Sequence, residues 1–241
     1  MSDGLFAALS GAVAQTTQLD TVSNNLANGS TPGFRADRVT FKQVMSSALA
    51  PGQSSDKAYV TVDATQIDTS QGSLKETGNS LDVALRGPGF IAVQTAQGER
   101  YSRGGTLHID GAGYVANDSG ARVLDMNNSA IPAGDATHIT ITPFGEVKNG
   151  DQVLGTMKLV QFAQPQSLAH EGAGLFNGGA QKAIEADART QVQAGALEQS
   201  NAKPLEEMIK LITLNRLYDT QMSVVQSYQE VDQKTTNDMG G

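Results

Sequence analysis

Cysteine and tryptophan are both missing from this chain of 241 residues. Without cysteine there can be no disulfide and no thiolate metal site. That absence does not assign a compartment, since cytosolic and exported chains alike can lack the residue. Aromatic side chains make up only 5%, which leaves little for the aromatic platform that sugar sites use. Charged residues are sparse at 17%, and the net charge is −8. Nucleic acid is excluded as a partner class, because phosphate binding needs clustered Lys and Arg and none occurs. No apolar run is long enough to span a bilayer. Nor does a basic segment precede an apolar one at the start, so no cleaved secretory signal is expected.

Catalytic constellations are equally scarce. His108, His138 and His170 lie far apart, and the first two sit in alternating strand patterns. His170-Glu171 lacks the second His of a helical zinc motif. The pairs Gly111/Gly113 and Gly172/Gly174 do not lead from a strand into a helix with a third Gly, so they read as turns. Asp110–Tyr114 lacks the further oxygen ligands of a calcium loop, and no Gly-x-Ser-x-Gly elbow is present. Adjacent Glu206 and Glu207 suit the positive end of a helix dipole better than an acid–base couple. We expect no enzyme activity, no cofactor and no metal.

What the sequence does contain is a strongly periodic C-terminal stretch. Ser200 and Asn201 are cap-type residues, and Pro204 is tolerated in a first helical turn. Leu205, Met208, Ile209 and Ile212 form one stripe; Leu211, Leu214, Tyr218, Met222, Val225 and Tyr228 form another. Two apolar faces on one helix exceed what a single partner covers. At the other end Leu5, Ala12, Leu19 and Leu26 recur every seven residues, with Ala8, Gln15 and Val22 between them. That is a coiled-coil-like register weakened by its Ala and Gln positions. Asn28 and Gly29 can end this helix in left-handed conformation, and Pro32-Gly33 fits the centre of a type II turn. The bland alternative is that both helices merely dock on a central domain.

Between them, Val39, Phe41, Val44, Met45 and Leu49 fit either a short helix or an extended segment. Ala50–Asp56 reads as a loop and Tyr59–Val62 as a strand. From Leu74 to Ile184 short strands alternate with Gly turns: Phe90–Gln94 with Arg100–Ser102, Leu107–Asp110 with Tyr114–Ala116, then His138–Thr142, Glu146–Lys148 and Met157–Phe162, with a turn at Asn149-Gly150. The expected class is therefore α+β. Terminal helices pack together as a coiled-coil-like layer, and an antiparallel barrel- or sandwich-like domain lies between them in sequence.

Four blocks carry a family resemblance: Ser23–Phe34; Leu81–Val93; Tyr101-Ser102-Arg103-Gly104-Gly105; and Gly195–Asn201 followed by Met208-Ile209 and Arg216-Leu217-Tyr218. Together they resemble, in order, the signatures of the flagellar basal-body rod and hook family. Two positions depart from the pattern: Ala202, where the family usually has Val, and Ser102, where it more often has Thr. The short length, Thr31–Ala36 and Lys203-Pro204 are most similar to the proximal rod class, with the distal rod class as nearest competitor. The resemblance implies a structural subunit polymerising through its terminal helices into a helical drive shaft. It implies partners in itself, other axial proteins and the flagellar export apparatus, and a periplasmic place reached without a cleaved signal. It divides the chain into residues 1–34 and 193–241 as a terminal assembly domain, 35–73 as an arm and 74–192 as the β-rich domain.

Under this reading the contact set is Leu5, Leu19, Leu26, Phe34, Leu205, Met208, Ile209, Ile212, Tyr218, Met222 and Val225. Asn24, Asn25 and Asn28 are either register-setting amides or helix-ending residues. The Gly- and Thr-containing N-terminal helix is marginal alone, so the ends are expected to order on assembly. A distal rod or hook-type protein is the near alternative, and a periplasmic β-domain that binds a ligand is the alternative from another class.

Overall fold

The computed structural model describes residues 3–46, 57–134, 136 and 138–239. Helix α1 spans Asp3–Ala27 and helix α2 spans Pro204–Met239. Between them run β1 (Asp37–Ser46), β2 (Lys57–Ile67), β3 (Leu74–Glu76), β4 (Asp82–Arg86), β5 (Phe90–Thr95), β6 (Gly98–Ser102), β7 (Gly104–Ile109), β8 (Val115–Asn117) and β9 (Arg122–Val123). Then follow β10 (Ile139–Ile141), β11 (Glu146–Asn149), β12 (Gln152–Thr156), β13 (Leu159–Gln161), β14 (Ala169–His170), β15 (Leu175–Asn177), β16 (Ile184–Glu185), β17 (Gln191–Ala194) and β18 (Ala196–Glu198). The fold is α+β, as the periodicities predict.

The chain forms two compact units. One consists of α1, α2 and the β1–β2 pair; the other of residues 28–36 and 67–202. In the first, the ambiguous stretch from Val39 to Met45 is extended, within β1. Thr40 Oγ1 donates to the Ala64 carbonyl of β2 at 3.0 Å. Leu49 and the loop expected at Ala50–Asp56 lie outside the described residues.

The β-rich unit is built on an antiparallel sheet with the order β14-β15-β6-β5-β9-β8-β7-β4-β17, to which β13 and β16 add beside β5. Both hairpins read from Gly turns are present: Thr95 faces Gly98 across β5 and β6, and Ile109 faces Val115 across β7 and β8. A three-stranded sheet, β10-β11-β12, stands apart from this path. Its turn at Gly150 (φ +59°) leads into β12, a strand the sequence pattern did not announce.

Strand β5 explains why the unit has two cores. Its four leading residues are all buried, and successive side chains of a strand point to opposite faces. Ile91 and Val93 therefore join a cluster with Leu85, Val123, Ile131 and Met157, while Phe90 and Ala92 join another with Tyr101, Phe162 and Phe176. The second core packs ring edges on ring faces, with centroids 5.4 Å apart for Phe90–Phe176 and 4.8 Å for Tyr101–Phe162. Such edge-to-face pairs add to the area term.

The two helix boundaries have different causes. Pro204 opens α2 at the position where its missing N–H costs nothing. Ser200 and Asn201 do not cap it: Ser200 Oγ accepts from Ala202 N at 3.1 Å, and the Asn201 amide is engaged elsewhere. At the end of α1 neither Asn28 nor Gly29 takes a left-handed conformation. The left-handed residue is Gly33 (φ +71°), third in a Thr31–Phe34 turn closed by Phe34 N donating to Thr31 O at 3.3 Å. That is the type II geometry expected of Pro32-Gly33.

Candidate assembly interface

Helix α2 carries two apolar stripes with different fates. On one, Leu214 and Val225 are buried, and Leu211, Tyr218 and Met222 are half-buried. On α1, which packs against α2, Ala12 and Val22 are buried and Leu19 and Leu26 half-buried. Gln15 Nε2 donates to Gln221 Oε1 at 3.0 Å across this seam. The end of the Gln221 side chain lies against Gly11, where a Cβ would make it shift. The side chain of Leu5 lies outside the described residues. On the other stripe Leu205 is 72% exposed and Ile209 59%, and Met208 and Ile212 are exposed as well. Leu9 and Val13 are also exposed on α1. Large apolar groups left in water along one helix face are the mark of a surface awaiting a partner.

The three asparagines do different jobs. Asn25 is buried, and its amide binds both backbone groups of Asp37: Oδ1 accepts from the N–H at 2.8 Å and Nδ2 donates to the carbonyl at 2.9 Å. It thereby clips the start of β1 to the last turns of α1. Asn24 is exposed, with Nδ2 3.4 Å from Asp37 Oδ2. Asn28 accepts from Thr31 Oγ1 at 3.2 Å through Oδ1, inside the turn.

In the β-rich unit, Phe34 is buried and stacks on His170 with ring centroids 4.7 Å apart. Next to it lies a feature the sequence did not suggest. Glu198 is only 2% exposed and holds two buried arginines. Arg35 Nη2 lies 2.6 Å from its Oε1, and Arg103 donates to its Oε2 from Nε and Nη2 at 3.1 and 3.0 Å. Arg103 also donates to the carbonyls of Leu85, Gly87 and Gly89 at 3.0, 2.9 and 2.5 Å. Glu198 Oε1 takes Gly72 N–H at 3.0 Å, and its backbone carbonyl takes Gly33 N–H at 2.7 Å. Burial, opposed by Glu198, brings Arg35 down to about 10. Burial likewise lowers Arg103, again opposed by Glu198. Arg35 stays charged at neutral pH.

Asn201 completes the cluster. Its Oδ1 accepts from Ala36 N at 2.6 Å, and its Nδ2 donates to Asp68 O and Ser70 O at 3.0 and 2.9 Å. Residues from all four sequence blocks therefore meet here: Gly33 and Phe34, Leu85 to Gly89, Arg103, and Glu198 to Asn201. The blocks are the parts of one charged, hydrogen-bonded clamp that binds the segment leaving α1 to the segment leading into α2. Charged residue types buried inside otherwise ordinary motifs were its only signal in the sequence.

Comparison with known proteins shows the family. A family model described as "Flagella basal body rod protein" matches residues 5–35. "Flagellar hook protein FlgE/F/G D1 domain" matches 84–149, and "Flagellar basal body rod FlgEFG protein C-terminal" matches 193–239. The flagellar basal-body rod protein FlgG of Bacillus subtilis is 30% identical, over 98% of this chain and 99% of its own length. The chain belongs to the flagellar basal-body rod FlgE/F/G family. FlgF of Caulobacter vibrioides is 29% identical over 100% of this chain and 99% of its own, and FlgF of Salmonella typhimurium is 30% identical over 95% of each. This is a structural, non-enzymatic family of the flagellar rod, whose members assemble with other axial proteins. Among the described residues no group of His, Asp and Glu is arranged to hold a metal. No helix there is long and apolar enough to cross a membrane.

Proposed function

We propose that this chain is a subunit of the proximal segment of the rod, polymerising through its terminal helices into the motor's helical drive shaft. One observation carries the reading: α2 presents two apolar stripes, and α1 covers one of them. Leu205, Met208, Ile209 and Ile212 then face neighbouring subunits, while Leu19, Leu26, Tyr218, Met222 and Val225 hold the helix pair together. Phe34 and the Pro32-Gly33 turn fix the direction in which the chain leaves α1. A head-to-tail contact of this kind does not close on itself and generates a helical assembly.

The proximal class is favoured by length. The alignment with the Caulobacter FlgF runs over 243 positions for a chain of 241 residues, against 261 with the Bacillus FlgG. The chain takes its place in the periplasmic part of the basal body. On the α1 side the seam includes the small or polar Ala12, Gln15 and Val22, and its leucines Leu19 and Leu26 are only half-buried, so the pair is weak before assembly and gains its full order within the rod.

Limited proteolysis of the soluble full-length chain tests this, with fragments identified by mass. Rapid loss of both helices from a surviving β-rich core is the expected result. A chain lacking residues from 204 onward should keep that core folded and fail to enter rods. Helices as resistant as the core, together with normal assembly of the truncated chain, would sink the reading.

A further inference from the structure

Among the described residues, the β-rich unit carries a prominent apolar knob and a largely apolar cleft. The knob is Phe144, 77% exposed at the tip between β10 and β11. It is the third residue of a Thr142-Pro143-Phe144-Gly145 turn in which Gly145 N donates to Thr142 O at 2.9 Å and Gly145 takes φ +81°. Proline second and glycine fourth are the residues such a turn prefers. The tip is tied down on every side. Val192 N donates to Pro143 O at 2.9 Å, Met157 N to Gly145 O at 2.8 Å, and Glu146 N to Thr142 Oγ1 at 3.2 Å. A large ring is thus held in water on a rigid support, and burying it against a partner forfeits little chain entropy.

The cleft has a volume of about 220 Å³. Buried Ile67, Phe90 and Phe162 line it, with exposed Thr69 and Pro88 and the Arg103 guanidinium of the clamp. A cavity of about 150 Å³ lined by apolar groups already accepts a benzene ring, so this one has room for a phenyl side chain. Its aromatic walls suit edge-to-face packing, and a guanidinium plane stacks favourably on a ring. The exposed stripe of α2 fits it less well, since a continuous row of side chains calls for a groove. A knob and a matching pit at different places on one molecule make a head-to-tail contact that propagates.

We propose that Phe144 of one copy docks into the Ile67–Phe90–Phe162 cleft of the next, giving the β-rich units a lateral contact of their own. The proposal rests on the polymerisation reading and adds a contact outside the helices to it.

The chain contains neither cysteine nor tryptophan, which gives a clean background for the test. Full-length Glu146→Cys chains, which keep the Phe144 ring, are mixed with full-length Thr69→Cys chains and treated with a short thiol–thiol cross-linker under assembling conditions. Mixed cross-linked dimers are expected in excess over either like pair. In Phe144→Trp the single tryptophan should shift its emission to shorter wavelength on assembly, and Phe144→Ser should raise the concentration needed for assembly about tenfold or more. Wild-type chains that assemble while no mixed dimer forms overturn the docking alone, wherever the tryptophan emission lies. Normal assembly of Phe144→Ser does the same. Wild-type chains that stay monomeric throughout overturn the docking and the polymerisation reading together.

Discussion

Leu85, Ile131 and Phe176 in the β-rich unit are wholly enclosed, whereas Leu205, Ile209 and Ile212 on α2 stand half or more in water. The first unit closes its two main apolar cores within one chain and ties distant segments together with a charged clamp, leaving the Phe144 ring out at a turn tip. The helical unit has a seam between its helices and leaves Leu205, Met208, Ile209 and Ile212 exposed, with Leu217, Val224 and Val231 exposed further along α2. Self-sufficiency in one part and deficit in the other is what a polymerising subunit needs: a folded body to be carried, and a surface that becomes stable only beside other copies.

The largest effect expected is at the clamp. Glu198→Gln leaves two buried guanidinium groups without their counter-charge, a class of change that costs about 3–5 kcal/mol. Urea denaturation of the free chain should show the β-rich unit losing that much. A loss below about 1 kcal/mol would mean that the clamp is not what binds the segments.

Core truncations in the two units sharpen the contrast directly. Leu85→Ala, at a site with no solvent exposure, should cost about 3–5 kcal/mol, in the upper part of the range for buried leucines. Leu214→Ala, on the helix pair, should cost about 2 kcal/mol, because its side chain is less completely buried and belongs to neither core cluster. Equal losses in circular-dichroism melts of the two variants would erase the distinction between units.

A smaller, pH-dependent effect belongs to the turn after β7. Asp110 is held below its usual 3.8, chiefly by the Tyr114 N–H at 2.9 Å, with Arg122 and the Ala112 N–H adding to it. A carboxylate depressed in the folded state contributes stability above its unfolded value and loses it as pH falls through the folded one. Asp110→Asn should therefore melt earlier than wild type at pH 7, and the gap should shrink as pH drops below 3.8. A gap that persists or widens in acid would show that the charge is not responsible.

The smallest effect on the free chain is expected on the uncovered stripe. Ile209→Ser should change stability by no more than about 0.5 kcal/mol, since the side chain is already exposed. The same substitution should weaken assembly by about tenfold or more, read by sedimentation. A stability loss comparable to that of Leu214→Ala would reveal an intramolecular partner for this face and undo the comparison.

Much of the helical unit was legible because periodicity is local. The seven-residue recurrence of Leu5, Ala12, Leu19 and Leu26, and the two stripes on α2, needed only spacing to be seen, and Pro204 marked its own position. The Gly98, Gly111/Gly113 and Gly150 turns gave the hairpins for the same reason. Misreadings fell where a residue's usual local role yielded to a distant partner. Asn201 looked like a helix cap, yet its amide reaches Ala36, Asp68 and Ser70. Asn25 looked like a register residue or a helix terminator, and it is committed to the backbone of Asp37.

By itself the sequence determined the helices, the strands of the main hairpins, the turn at Pro32-Gly33 and the surplus of apolar surface on α2, since each depends on residues within a few positions of one another. Only the tertiary structure decided which stripe of α2 is covered, and only it brought Arg35 and Arg103 onto Glu198. Those choices depend on the energy of burying particular groups together. Burial is a property of neighbours in space that no spacing along the chain encodes.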